Sequence, residues 1–295
     1  DARQVYFDAL TNDGNFTWTL TGPRGAVVSG RSFTSTDSVS GPVTYDLAAG
    51  DYSLMIDTSA DAVGNYGFRL VDVSEAADLV PGTPVSGQLD PANSSNLYKL
   101  NAIAGDQYYF DYQSLSASSV YWRLLDPWGK IAFDRTNFTS DVGPITLAFT
   151  GNYTLIVEGA VANTGALSYT FNAQRITDDV TSVSLDTTIA GVIDQAGQRD
   201  FYNFNLTDSK QVYLDSLTNS ANFTWTLTGP RGTVASSRSF ASTDSLSGPV
   251  TYDLAPGNYS LMIDAPADIV GPYNFRLLDV SQAATITPGT PVSGR

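Results

Sequence analysis

The sequence predicts an all-β protein built from tandem, antiparallel, jelly-roll-like β-sandwiches of about eight strands each. Three observations lead to this prediction: the chain repeats itself over long stretches, its apolar residues alternate with a period of two, and turn sequences recur about every ten residues. No segment carries the 3.6-residue apolar period of an amphipathic helix.

The repeats are visible directly in the sequence. Residues 4–87 recur without a gap as residues 211–294 with about three-quarters identity, and both copies contain NFTWTLTGPRG and SGPVTYDLA. A diverged copy lies between them, with YWRLLDPWGK and GPITLAFTGNYTLIVEG in the corresponding places. The period of about 104 residues is longer than a solenoid repeat of about 20–50 residues and close to the size of an independently folding domain.

We predict three β-sandwich repeats and one terminal strand. The first repeat covers 1–80 and lacks its first strands, the second covers 81–182, the third covers 183–285, and 286–295 is the first strand of a following repeat or a donor strand. The folded unit begins either at TPVSG or at QVYFD, and the sequence leaves both phases open. Either phase leaves an open sheet edge and a loose strand, as head-to-tail strand addition requires. The predicted assembly residues are Thr290, Pro291, Val292, Ser293 and Gly294.

Strands are assigned from the period-two alternation. In the second repeat Tyr108, Phe110 and Tyr112 alternate with polar neighbours, as in a strand with one face on a core. The predicted strands of this repeat lie near 83–90, 96–103, 106–115, 119–126, 130–136, 143–150, 151–158 and 166–175.

Glycine-proline and aspartate-proline turns mark the hairpin tips between strands. In each turn proline fixes the backbone angle φ at the start and glycine lets the chain leave the turn. The tip residues Arg24, Trp128 and Arg231 are therefore predicted to be exposed and are candidate binding residues. The other tryptophans share register with core leucines and are predicted to be buried: Trp18, Trp122 and Trp225.

Composition excludes several classes of function. Fifteen basic against thirty acidic residues give a net charge of −15, which repels nucleic acids and anionic lipids. No apolar stretch reaches the roughly 20 residues needed to span a membrane, so neither a nucleic-acid partner nor membrane insertion is expected. Cysteine and histidine are absent, which removes thiolate and imidazole catalysis and most transition-metal sites. A cysteine-free chain of this kind suits export by a bacterium, and we predict an extracellular or cell-surface location.

Carboxylates are the remaining acid/base groups. Those most regularly placed lie in the polar phase of their strands and are predicted to face water: Asp8, Asp111 and Asp215 on one strand, and Asp57, Glu158 and Asp264 on another. We therefore predict that the protein is not an enzyme. No cofactor is required, but calcium is a candidate ligand, because it prefers several converging oxygen ligands. The candidate calcium ligands are Asp90, Asp194, Asp200, Asp178 and Asp179.

The order of these elements resembles a known family. GTPVSGQLDPANSSNLYKLNAIAGDQYYFDYQSL, then WRLLDPWGK, LAFTGNYTLIVEG and LSYTFNAQ, is similar to the bacterial pre-peptidase C-terminal domain, in particular its tandem forms in large secreted surface proteins. The resemblance implies a jelly-roll sandwich, an extracellular location and a non-catalytic role.

Two functional hypotheses follow. The first is a structural segment of a bacterial surface protein, an adhesin stalk or filament body, whose partners are adjacent repeats or neighbouring copies of itself. The second is a module that binds a polysaccharide or a matrix protein through its tip loops.

Overall fold

A computed structural model describes residues 1–35, 40–59, 61–116, 119–243, 248–266 and 268–293. The chain divides into two compact units, Asp1–Arg175 and Ile176–Arg295. The first unit holds the first two repeats, and the second unit holds the third. The predicted domain boundaries after residues 80, 182 and 285 remain predictions.

Nearly all regular structure in the described residues is β-strand, as the sequence predicts. The first repeat contains β1 (Arg3–Ala9), β2 (Phe16–Gly22), β3 (Gly25–Ser32), β4 (Thr44–Leu47), β5 (Ser53–Thr58) and β6 (Phe68–Asp72). The second contains β7 (Ala77–Asp78), β8 (Val85–Leu89), β9 (Ser95–Ala102), β10 (Gln107–Leu115), β11 (Val120–Leu125), β12 (Ile131–Asn137), β13 (Val142–Thr146), β14 (Gly151–Gly159) and β15 (Leu167–Ile176).

The second unit repeats this pattern. Its strands are β16 (Asp179–Ser182), β17 (Thr188–Ile193), β18 (Arg199–Leu206), β19 (Lys210–Ser216), β20 (Thr224–Gly229), β21 (Gly232–Ser239), β22 (Tyr252–Leu254), β23 (Gly257–Asp264) and β24 (Gly271–Asp279). The helical segments in the described residues are four single 3₁₀ turns: Phe33–Ser35, Val73–Glu75, Phe240–Ser242 and Val280–Gln282. No helix in the described chain is long and apolar enough to cross a membrane.

The second and third repeats are jelly rolls. In the second repeat one sheet has the order β13-β10-β15-β8 and the other has the order β12-β11-β14-β9-β7. The third repeat has the same two orders, β22-β19-β24-β17 and β21-β20-β23-β18-β16. Counted from the TPVSG strand, the eight main strands pair as 1-8-3-6 and 2-7-4-5, which is the jelly-roll connectivity.

The pairing also shows where a folded unit begins. Strands β8 and β9 pair with β15 and β14 inside the second repeat, so the TPVSG strand opens a sandwich and does not close the preceding one. In the part of the first repeat that the structure describes, the strands form two three-stranded sheets, β4-β1-β6 and β3-β2-β5. Among the described residues β6 pairs only with β1, and β5 pairs only with β2.

The core of the first repeat is smaller than the cores of the other two. Counting described residues, the second and third repeats each bury a cluster of 21 apolar residues, and the cluster of the first repeat has nine. Trp18, Trp122 and Trp225 lie inside these clusters with at most 1% of their surface exposed, which confirms the prediction that they pack in the core. The described residues of the first repeat form six strands, against eight main strands in each of the other two repeats, in keeping with its smaller core.

One kind of strand was not predicted. Residues Ala77–Asp78 form β7, which pairs in parallel with β9, and β16 pairs in parallel with β18 in the same way. The chain that leaves one sandwich therefore becomes an edge strand of the next sheet. Leu79 continues this connection into the core of the second repeat.

Candidate assembly interface

The first repeat docks side by side on the second. Buried apolar side chains from both repeats form one cluster outside the two sandwich cores. The first repeat contributes Tyr6, Val43, Val73 and Ala76, with Val71 packed beside them, and the second contributes Leu97, Leu125 and Ile156. Neighbouring residues in the same strands, Phe7 and Tyr98, point into the sandwich cores. The interface therefore joins the outer face of one sheet to the outer face of another.

An ion pair of the first repeat forms hydrogen bonds with the second repeat. Arg69 Nε donates to Asp8 Oδ2 at 2.7 Å, and the Ser95 backbone N–H donates to the same oxygen at 3.3 Å. A second Arg69 nitrogen donates to the Ser95 carbonyl, and the Tyr6 hydroxyl lies 3.0 Å from Ser95 Oγ. Ser95 is the first residue of β9, so side chains of the first repeat engage both the backbone and the hydroxyl of a second-repeat strand.

Burial makes Asp8 an unusual carboxylate. Its surface is fully covered, and desolvation raises the pKa of the carboxyl above its ordinary value, although the Arg69 charge and the hydrogen bonds from Arg69 and Ser95 oppose this rise. Asp8 Oδ1 has no hydrogen-bond partner among the described residues. Docking therefore sequesters one carboxyl whose charge is only partly compensated.

The second repeat contributes a further charged cluster on the same sheet. Arg135 Nε donates to Glu158 Oε1 at 2.5 Å, and the Arg135 guanidinium lies 3.3 Å from the centre of the Tyr121 ring. Arg123 is buried and lies 3.3 Å from Asp134. Desolvation lowers the pKa of Arg123, and the Glu158 charge opposes this shift. The first and third repeats have Thr19 and Thr226 in place of Arg123, so the buried arginine is specific to the second repeat.

The prediction that the regularly placed carboxylates face water is wrong for Asp8 and Glu158, which are 0% and 2% exposed. Strand alternation shows which residues leave their own core but not whether another sheet covers the opposite face. Asp8 is covered because the first repeat docks on the second, and Glu158 is held by Arg135.

Three of the five candidate calcium ligands border one cleft. A cleft of about 610 Å³ in the third repeat is bordered by Asp179, Asp194 and Asp200. Asp200 is buried there and accepts hydrogen bonds from Tyr273 and from Gln198, the latter at 2.8 Å. Burial raises the pKa of Asp200, and the negative charges of Asp179 and Asp194 raise it further.

The other two candidates lie elsewhere. Asp178 accepts a hydrogen bond of 2.6 Å from the Arg199 guanidinium, and Asp90 is an exposed residue of the second repeat. Among the described residues, carboxylate oxygens of Asp179, Asp194 and Asp200 do not all come within 4.8 Å of one another. Calcium binding by these five residues stays a prediction.

The hairpin-tip residues lie where the turns predict them. Arg24 and Arg231 are exposed between β2 and β3 and between β20 and β21. Trp128 is 58% exposed and packs edge-on against Phe149, with ring centroids 4.6 Å apart. Of the predicted assembly residues, Thr290 to Ser293 are exposed and lie outside any strand. Gly294 lies outside the described residues.

Sequence reasoning missed the docking residues Tyr6, Arg69 and Ser95. The signal that points to them is the unbroken apolar run Val5, Tyr6, Phe7. Such a run is typical of a strand that is buried on both faces, whereas a strand with one solvated face alternates.

Comparisons with known proteins concern the fold. The sequence matches no protein-family model and no curated protein. The pre-peptidase C-terminal domain of a Bacillus anthracis collagenase is similar at 20% identity and a TM-score of 0.26, over 34% of this chain and 96% of that one. The CUB1-EGF-CUB2 region of human MASP-1/3 is similar at 8% identity and a TM-score of 0.21, over 65% of this chain and 99% of that one. Both TM-scores are below 0.5, so we draw no functional conclusion from either likeness.

Proposed function

We propose that this chain is a non-catalytic structural segment of an extracellular bacterial surface protein, acting as an adhesin stalk or filament body. The observation that carries the proposal is the docking of the first repeat on the second. The two repeats are joined by apolar side chains on their outer faces, by the Arg69–Asp8 ion pair beside Ser95, and by β7, which leaves the first repeat and pairs with β9 of the second. These contacts hold two copies of one sandwich in a fixed relation, which is what a load-bearing array needs.

The chemistry of the buried acids supports a non-catalytic role. Asp8 and Glu158 are held by arginines, and Asp200 accepts hydrogen bonds from Tyr273 and Gln198. Each of these carboxylates is therefore committed to a structural contact. In this proposal no cofactor is required, and calcium in the Asp200 cleft would be an accessory ligand.

Open edges in the first repeat support assembly by strand addition. In the second repeat β8 covers β15, with Gly87 opposite Tyr169. A Cβ atom on Gly87 would lie 2.3 Å from the Tyr169 ring, so glycine lets the strand cross this tyrosine. The corresponding residue of the first repeat, Tyr66, is 51% exposed against 1% for Tyr169. By repeat alignment, Thr290–Gly294 of a neighbouring copy would take the place of β8 and cover β6.

Strand addition is tested by removing the donor sequence. We expect the intact chain to form oligomers whose size grows with concentration and a chain lacking residues 287–295 to stay monomeric, because the β6 edge then has no donor. Light scattering over a concentration series measures this difference. Val292→Asp should also block assembly, since residue 292 would lie opposite Phe68, whereas Ser293→Asp would place its charge on the opposite face of the strand and should not. An intact chain that is monomeric throughout, or a shortened chain that still assembles, contradicts the proposal.

A binding function is the second candidate. The specific observation that favours it is the pair of exposed aromatic rings, Trp128 and Phe149, at one hairpin tip. Such a pair could stack on a sugar ring or anchor a matrix protein. Retention on a polysaccharide column that Trp128→Ala abolishes would favour this function over a pure spacer.

A further inference from the structure

Among the described residues, the third repeat carries a partly exposed copy of the docking face of the first repeat. The first-repeat residues of the interface are Tyr6, Val43, Val71, Val73 and Ala76. Their counterparts in the third repeat, 207 positions later in the sequence, are Tyr213, Val250, Leu278, Val280 and Ala283. Four of the five are identical, and the fifth replaces valine by leucine. All five line a groove of about 490 Å³ on the outer face of the β22-β19-β24-β17 sheet.

Exposure differs sharply between the two copies. Val43 is 7% exposed under the second repeat, and its counterpart Val250 is 48% exposed. Ala76 is 8% exposed, whereas its counterpart Ala283 is an exposed residue. An exposed apolar patch of this kind is typical of a surface that another protein segment covers.

The ion pair of the docking face is also present in the third repeat. Arg276 Nε donates to Asp215 Oδ2 at 2.8 Å, as Arg69 does to Asp8 in the docked copy. In the docked copy the same pair also engages both backbone groups of Ser95. The third repeat thus presents the ion pair in the arrangement that receives the first residue of a β9-like strand.

The connector that follows the face is also repeated. Asp279 caps the 3₁₀ turn Val280–Gln282 through the Ser281 N–H, at 3.0 Å, as Asp72 caps Val73–Glu75 through Ser74 at 2.9 Å. The sequence after these turns is AADLVPGTPVSG in one copy and AATITPGTPVSG in the other. In the first copy this connector forms β7 and leads directly into the sandwich that covers the face.

We propose that the outer face of the third repeat, centred on Val250 and Leu278, docks a β-sandwich of the second repeat's type that is joined to it through the 280–294 connector. The occupant must present the counterparts of Leu97, Leu125 and Ile156, and a β9-like strand that begins beside Asp215. This inference rests on the proposed function as a structural array and names the partner of that array at this face. Where such a repeat follows, residues 290–294 form its first strand and are not available to the β6 edge of another copy.

A second copy of the chain does not fit the site. Its second repeat has already covered Leu97, Leu125 and Ile156 with its own first repeat. Its first and third repeats have Thr21 and Thr228 in place of Leu125, so the apolar triplet is incomplete in both. The matching face therefore belongs to a further repeat of the second repeat's type.

The test uses cysteine labelling, because the chain contains no cysteine. Val43→Cys and Val250→Cys are matched single-cysteine variants at equivalent positions. In the chain of 295 residues we expect Val250→Cys to react at least about tenfold faster with a maleimide than Val43→Cys, because the latter reacts only when the docked pair opens. An extended chain is then made by attaching a second copy of residues 88–175 after Gly294. In that chain Val250→Cys should slow to the rate of Val43→Cys.

Two controls make the outcome decisive. Val270→Cys, an exposed position of the third repeat, should react equally fast in both chains, and Ile156→Asp in the attached copy should restore fast labelling of Val250→Cys. Circular dichroism checks that the attached copy folds. Unchanged labelling of Val250→Cys in a folded extended chain overturns the inference. Protection that instead grows with the concentration of the original chain would identify a second copy as the occupant and would also overturn it. Labelling reports docking alone, so a polysaccharide-binding result against the proposed function would leave this readout unaffected.

Discussion

Replacing Trp122 with alanine is expected to destabilise the second repeat by about 3–5 kcal/mol, the usual cost of deleting a fully buried tryptophan. Trp122 has no exposed surface and contacts the rings of Phe110, Phe138 and Phe171. Its removal leaves a cavity between the two sheets that these rings cannot fill. Denaturant unfolding followed by circular dichroism measures the loss as a shift of the second-repeat transition.

Trp128 is the matched control for this experiment, since it lies in the same repeat but is 58% exposed. Trp128→Ala should change the free energy of unfolding by less than about 0.5 kcal/mol, as is usual for a surface position. Equal losses for the two variants would mean that the strand phase assigned to β11 is incorrect.

Placing a carboxylate at Ile156 is expected to separate the first repeat from the second. Ile156 is completely buried in the cluster that joins the two sheets. An aspartate there would have to lose its hydration without a matching cation, at a cost of about 3 kcal/mol or more. The core of the first repeat has nine buried apolar residues among those that the structure describes, so we expect this repeat to unfold at a lower temperature once docking is lost.

Differential scanning calorimetry would show this effect as a new, early transition. Met262 occupies the position equivalent to Ile156 in the third repeat and is half-buried, so Met262→Asp should leave the first repeat unchanged. A single unchanged transition in the Ile156→Asp variant would argue that the two repeats are stable without the interface.

The strands could be predicted from the sequence because their alternation reports the core of their own sandwich. Each of the eight predicted strands of the second repeat has a counterpart, and the turns at Pro23, Pro127 and Pro230 lie at hairpin tips. Strand β7 was missed because two paired residues are too few to show a period. It exists because the connector lies along β9, a contact between successive repeats that local sequence does not record.

The interface between the first and second repeats could not be predicted, because it too depends on contacts between repeats that are distant in sequence. Asp8 occupies the polar phase of its strand, and that phase predicts contact with water in an isolated sandwich. A sheet of the second repeat covers Asp8 instead. The nearby sequence indicates this only through Tyr6, an aromatic residue whose side chain, like that of Asp8, points away from its own core. The sequence reasoning placed assembly at a terminal strand, whereas the contacts that join the two repeats lie on sheet faces in the middle of each repeat.

The most direct test of the central claim is hydrogen exchange measured by mass spectrometry on equivalent strands. The claim is that each repeat is a copy of one jelly roll and that the first repeat keeps open edges through which the array assembles. In the described parts of the chain, strand β24 is paired on both sides and β6 on one side only. At low protein concentration we predict that β6 exchanges at least about a hundredfold faster than β24, and that its exchange slows as concentration rises. Equal protection of β6 and β24 at all concentrations would contradict the account.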